Sequence, residues 1–247
     1  GAAANETIRV GVVGLHGRGN DHITGFAALP NVEIVALCDA DENVLNQRVE
    51  EHKDLFKRPV KKYTDYREML KDPDIDVISI ATPNHWHSLM GIWACQAGKD
   101  VYVEKPASHN IFEGRKMVEA ARKYKRIVQC GMQCRSSVGL QEAVEYVRSG
   151  KLGKIVLARG FCYKGRKSIG MVDGPQTVPD YIDYNLWCGP APDAPPRRNG
   201  SNGPVHYDWH WFWDYGNGEI GNNCIHCVDT ARIICDIAKM SNVRFVQ

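Results

Sequence analysis

Three groups of residues have the types and spacing that chemistry requires. The first is Gly11-Val-Val-Gly14-Leu-His16-Gly17-Arg18-Gly19, which ends a short β-branched run. A G-x-G-x-x-G turn between strand and helix lets a dinucleotide pyrophosphate approach the backbone and rest on the helix N-terminus. The frame here is Gly14, His16 and Gly19, with histidine where the middle glycine is usual; Gly17 beside it can restore a tight turn. Asp39 follows about 20 residues on, after Val35-Ala-Leu-Cys38. A carboxylate there accepts from a ribose 2′-hydroxyl and repels a 2′-phosphate, so NAD is favoured over NADP. Taken alone, the glycines can also be a purely structural turn.

The second group is a pair of segments. Ala81-Thr82-Pro-Asn84-His-Trp-His87 and Glu104-Lys105-Pro106 each follow a predicted strand. Open α/β sheets bind ligands at such carboxyl ends. Oxidising a secondary alcohol requires a hydride acceptor, a proton acceptor and a cation for the developing alkoxide. Lys105 can be that cation, and beside a cationic cofactor it can share in proton transfer. Its plain alternative is a surface lysine in a strand-end turn.

The third group is Asn222-Asn-Cys224-Ile-His226-Cys227-Val-Asp229. His226 can accept a proton, and Asp229, three residues on, shares its helical face. Asp229 as a plain helix residue and His226 as a structural histidine stay open. Cys224, His226 and Cys227 also have zinc-like spacing. A structural zinc needs about four ligands, and no second paired cluster is present; His206 and His210 would have to be brought close. The expectation is no metal, with two small buried thiols near a helix start.

The elements that must position these groups alternate. Strands are predicted at 8–13, 32–37, 77–80, 101–103 and 127–130, with helices at 20–29, 43–53, 65–70, 87–97 and 111–124. Such alternation implies a parallel sheet with right-handed crossovers. After residue 134 the pattern changes to a helix at 140–147, a strand at 154–163, an irregular proline-rich stretch over 164–218 and a last helix at 225–238. Aromatic residues crowd 206–215; Tyr207, Trp209, Trp211 and Trp213, together with Trp187, offer either a wall for a sugar ring or a packed core or interface. The fold class is α/β: a doubly wound Rossmann sheet over 1–134, then a shortened α+β domain over 135–247 for substrate and oligomerisation.

Composition narrows the function classes. The 247 residues include 31 basic and 29 acidic side chains, 43% hydrophobic. That balance gives no reason to invoke nucleic acid, and no apolar stretch approaches the ~20 residues of a membrane span. Nine scattered cysteines, an odd number, argue against a disulfide framework.

With these motifs in order, the chain resembles the Gfo/Idh/MocA oxidoreductases, through the Rossmann turn, A-x-x-N-x-x-H and E-K-P over 8–134. The resemblance continues through 184–190 and 213–221, toward a bacterial sub-branch often exported. It implies that Lys105 lies beside the nicotinamide and the reacting hydroxyl, that the Lys105-Pro106 peptide is cis, and that Asn84 bonds near the nicotinamide or its ribose. The expected cofactor-binding set is Gly14, His16, Gly17, Arg18, Gly19, Asp39, Thr82, Asn84, His87, Glu104, Lys105 and Trp187. The expected catalytic pair is Lys105 and His226, with Arg135, Asn222 and Asp229 on the substrate side. His87 is equally readable as a helix-start packing residue, and Arg135 as a surface partner. Where relatives commonly carry D-x-x-x-H, this chain has Asn222 before His226, so the imidazole lacks a carboxylate that would raise its pKa.

The implied activity is NAD-dependent oxidation of a secondary hydroxyl in a sugar, polyol or glycoside. A redox-assisted glycosidase and a non-catalytic NAD- or sugar-binding module are the alternatives. The small-residue start Gly1-Ala-Ala-Ala-Asn5 is compatible with a tag remnant, a natural loop or the mature end left after a signal peptide, with periplasmic and cytoplasmic locations as the alternatives. The second domain is short for the family, so either it is a reduced variant or another chain completes its sheet, which predicts a homo-oligomer.

Overall fold

The computed structural model describes residues 7–200 and 203–235. The expectations placed on residues 1–5 and 236–238 lie outside the described residues. The described residues fall in two units, one within Gly1–Gly131 and Ser168–Asn217, the other within Met132–Lys167 and Gly218–Gln247.

In the first unit the chain runs β1 (Ile8–Val13), α1 (Arg18–Ala27), β2 (Val32–Cys38), α2 (Glu42–Glu51), β3 (Lys61–Tyr63), α3 (Tyr66–Leu70), β4 (Val77–Ile80), α4 (Asn84–Gln96), β5 (Asp100–Glu104), α5 (Ile111–Tyr124) and β6 (Val128–Gly131). All neighbouring strands are parallel, in the order β3-β2-β1-β4-β5-β6. This is a doubly wound order that reverses direction between β1 and β4, the crevice where such sheets bind ligands. Both faces are covered. Val10, Val12, Ile34 and Leu37 pack with Ile23 and Leu45 of α1 and α2. Ile78, Ile80, Val101 and Val103 pack with Met69, Met90, Ala94 and Met117 of α3, α4 and α5. Burial on both faces is why these strands read as continuous apolar runs.

Later elements are α6 (Val138–Arg148), α7 (Tyr184–Cys188) and α8 (Ile225–Cys235), the last entered through a π-helical turn at Ile220–Cys224. α7 belongs to the first unit, α6 and α8 to the second. The proline-rich stretch returns to the Rossmann sheet. Glu42 N–H donates to the Tyr181 carbonyl and Asp183 N–H to Ala40, both at 2.9 Å, around an antiparallel bridge between Asp41 and Ile182. A third core forms there from Ile182, Trp187, Cys188, Val205 and Tyr215.

Three expectations are corrected. Residues 154–163 form no strand: among the described residues no second strand lies beside them, and a ladder needs two sides. β3 is an additional edge strand that its lysines concealed. Helix α4 opens at Asn84, because Pro83 supplies the N-cap position and a proline is tolerated where no helical N–H is needed. All nine cysteines are thiols. Among the described residues no helix is long and apolar enough to cross a membrane.

Candidate functional site

The turn between β1 and α1 is shaped by its glycines. Gly14 has φ +82°, and a Cβ there would lie 2.6 Å from the Thr82 amide nitrogen. A Cβ on Gly19 would lie 1.8 Å from the Gly14 carbonyl oxygen, whereas one on Gly17 would meet nothing within 4 Å. Gly14 and Gly19 therefore bring strand, helix and the β4 loop into contact, and Gly17 borders open space. Side chains of Asp41, Asp65 and Asn110 cap α2, α3 and α5, but α1 starts from Gly17 with no side-chain cap. Asn20 N–H turns back to the Gly17 carbonyl at 3.0 Å, and no capping side chain takes up the amides before it. Open space at Gly17 before an uncapped helix N-terminus fits a dinucleotide pyrophosphate.

Asp39 ends β2. Its carboxylate accepts from Leu15 N–H at 2.6 Å and Asp41 N–H at 3.0 Å. Burial pushes its pKa up against those two amides. The oxygens are thereby oriented, and a carboxylate retains further lone pairs for a ribose hydroxyl. Arg48 of α2 donates to the carbonyls of Leu15 and His16, each at 3.1 Å, and so holds the turn's backbone. The His16 ring stacks on His206 at 4.0 Å, and His206 Nε2 meets the Asp41 carboxylate at 2.8 Å. Desolvation and the neighbouring His206 push His16 down to about 4. Arg18 pairs with Asp21 at 2.8 Å and Glu104 at 3.3 Å.

Glu104 links this turn to Lys105. It is 4% exposed. His22 of α1 reaches Glu104 Oε1 at 3.1 Å through Nε2 and the Ser79 hydroxyl at 2.8 Å through Nδ1. The Lys105 backbone N–H donates to Glu104 Oε2 at 3.2 Å. Burial would raise the Glu104 pKa, but the bonds and charges of His22 and Arg18 hold it below the usual range. A buried, ionised carboxylate thus anchors the first turn of α1 and the backbone of Lys105 together. The Lys105–Pro106 peptide is cis.

The segment after β4 is tied from several sides. Asn84 Nδ2 donates to Asn217 Oδ1 at 3.1 Å, and Asn217 Nδ2 donates to the His109 carbonyl at 2.8 Å. Trp86 Nε1 donates to the Trp187 carbonyl at 2.9 Å. The His87 ring lies between two carbonyls, with Nδ1 2.6 Å from Pro106 O and Nε2 2.7 Å from Thr82 O. Trp187 is buried in the third core, stacked on Tyr184. Nearby is an open cavity of about 210 Å³, lined by His85, His109, Glu113, Pro192, Asp214 and Trp213; the Trp213 ring is 85% exposed. No spacing in the sequence points to His22, Arg48, His206 or Asn217 as partners of the motifs.

In the second unit, Asp229 accepts two bonds from Arg135, at 2.7 and 2.6 Å. That pairing holds its carboxyl below the usual range. Asn222 lies in the π-helical turn, and His226 is the second residue of α8. The turn is preceded by Glu219, which accepts from Arg166 and Asn223; Arg166 above all pulls its pKa down to about 2. Among the described residues no three His, Cys, Asp or Glu side chains gather as a metal site.

Comparison with known proteins agrees with this geometry. An oxidoreductase family with an NAD-binding Rossmann fold matches residues 8–132, and that family's C-terminal α/β domain matches 143–246. The inositol 2-dehydrogenase of Salmonella typhimurium is 29% identical over 177 residues, covering 71% of this chain and 48% of that protein. The α-N-acetylgalactosaminidase of Shewanella oneidensis is 34% identical over 158 residues, 61% of this chain and 34% of that protein. A crystal structure of scyllo-inositol dehydrogenase from Lactobacillus casei, with bound NAD(H) and scyllo-inositol, is 27% identical with a TM-score of 0.54, covering 60% of this chain and 42% of that one. This chain spans half or less of the length of each of these relatives. Sheet order, glycine turn and family match coincide: the chain belongs to the Gfo/Idh/MocA family of NAD-binding oxidoreductases.

Proposed function

We propose that this chain carries the cofactor half and a catalytic lysine of an NAD-dependent oxidoreductase acting on a secondary hydroxyl of a sugar or polyol. One observation carries the reading. The uncapped helix behind the glycine turn and the lysine of E-K-P stand at the carboxyl edge of one parallel sheet, coupled through buried Glu104. Bound NAD supplies the hydride acceptor. Gly14, Gly17 and Gly19 admit its pyrophosphate, and Asp39 orients its adenosine ribose. Lys105 stabilises negative charge on the reacting oxygen, and His226 takes the hydroxyl proton. The inositol dehydrogenase relatives support a polyol or sugar substrate, and exposed Trp213 is suited to stack on such a ring.

A second reading rests on the glycosidase relative. In it the same hydroxyl would be oxidised with bound NAD as hydride acceptor, elimination would release the leaving alcohol, water would add across the resulting double bond, and return of the hydride to the carbonyl would leave no net NADH.

Lys105→Ala tests the lysine's role. NAD affinity measured by calorimetry should stay within about twofold, while turnover falls by about 10²–10⁴. Unchanged turnover on an accepted substrate would remove Lys105 from the mechanism.

A further inference from the structure

His87 lies behind the site and is 1% exposed. Its two ring nitrogens face two carbonyl oxygens, Pro106 O at 2.6 Å and Thr82 O at 2.7 Å. Carbonyl oxygens only accept. A neutral imidazole has one N–H and one bare nitrogen, and only the imidazolium donates twice. A neutral ring would therefore turn a lone pair toward an oxygen at hydrogen-bond distance, in a place shielded from solvent. A half-turn of the ring would set carbon atoms against both oxygens and leave both carbonyls without this donor. Both distances match or undercut those of charge-assisted bonds.

From this geometry we infer that His87 is a buried imidazolium, acting as a positioning residue that ties the Thr82 loop to the Lys105-Pro106 turn. The surroundings contain a counter-charge. Glu104, at the end of β5, favours the charged ring and Lys105 opposes it, as does His85 on α4. Burial is the largest influence and sets the His87 pKa below its ordinary value, against the upward pull of the carbonyls of Pro106 and Thr82. The inferred charge runs against that direction and stands on the two opposed acceptors alone, because no neutral tautomer satisfies both.

The inference has a consequence for catalysis that rests on the proposed oxidoreductase reading. The loop after β4 and the turn after β5 would hold the nicotinamide end and the reacting hydroxyl. A fixed double donor keeps them in register and adds positive potential beneath Lys105. A site displaced by about 1 Å can lose about a hundredfold in rate.

Two measurements test this, and the first does not depend on activity. The histidine ring ¹⁵N spectrum of the full chain is recorded at about pH 8, where an ordinary imidazole is neutral. One histidine should show both nitrogens protonated, with NOEs from its N–H protons to Pro106 and Thr82, and should vanish in His87→Gln. A bare nitrogen on His87 at that pH overturns the inference, whatever the enzyme does. The second measurement is kinetic. His87→Gln donates to only one carbonyl, so kcat should fall about a hundredfold while KM for NAD stays within about twofold. A folded variant with unchanged kcat overturns the positioning role. A wild-type chain without turnover refutes the oxidoreductase reading, and the spectrum still decides the charge of His87.

Discussion

At the scale of residues, the account turns on Glu104. Its carboxylate is buried and ionised, and its partners come from α1 and its own neighbour. His22 lies 82 positions away in sequence and Arg18 lies 86 away. Glu104→Gln would leave His22 and Arg18 facing a neutral amide. The Arg18 end of the pair is 42% exposed and screened by solvent, but the Glu104 end is buried, so the urea midpoint should fall measurably, and turnover should fall with it as Lys105 loses its backbone anchor. A variant with wild-type midpoint and turnover would show that Glu104 does not organise the site. The motifs themselves are legible: E-K-P marks Lys105, and the glycines mark the turn. Their supports are not. His206 meets Asp41 across 165 positions of sequence, and only the folded path of the aromatic loop brings the two together. Trp187 shows the same limit, since an aromatic residue in a long loop gives no sign of whether it faces ligand or core.

At the scale of elements, the glycine turn gives a paired test. At Gly19 an added Cβ would collide with the Gly14 carbonyl at 1.8 Å. Gly19→Ala should force α1 off the turn, lowering both the unfolding midpoint and NAD affinity. At Gly17 a Cβ meets nothing within 4 Å. Gly17→Ala should therefore lower the unfolding midpoint far less than Gly19→Ala. It should still weaken NAD binding, because the methyl enters the space before α1. Calorimetry and urea unfolding of both variants separate the two effects; equal NAD affinity in Gly17→Ala and wild type would move the pyrophosphate elsewhere. The central strands were legible because burial on both faces makes them continuous apolar runs. Edge strand β3 was not, since Lys61 and Lys62 are exposed. Residues 154–163 carry strand-like residues, yet β structure needs a neighbour that local sequence cannot supply.

At the scale of the whole molecule, paired carboxyls tie stability to pH, and Glu219 is the clearest case. Arg166 and Asn223 hold Glu219 in the second unit at about 2, against an ordinary 4.5. A carboxyl with a depressed folded pKa contributes stability fully above the unfolded value and loses it as pH falls through the folded value. The Glu219 contribution is therefore whole above pH 4.5 and fades toward pH 2. Stability of Glu219→Gln, followed by urea unfolding across that window, should fall less steeply with acid than wild type. Parallel slopes would show that the pair contributes nothing. The proposed function is likewise a property of the whole molecule. The most direct test is a reaction balance. Incubated with NAD and a panel of inositols, sugars and glycosides, the protein should form one NADH per oxidised hydroxyl, and Lys105→Ala should abolish that product. Glycoside cleavage with no net NADH, or tight NAD binding with no turnover on any member of the panel, would contradict the account.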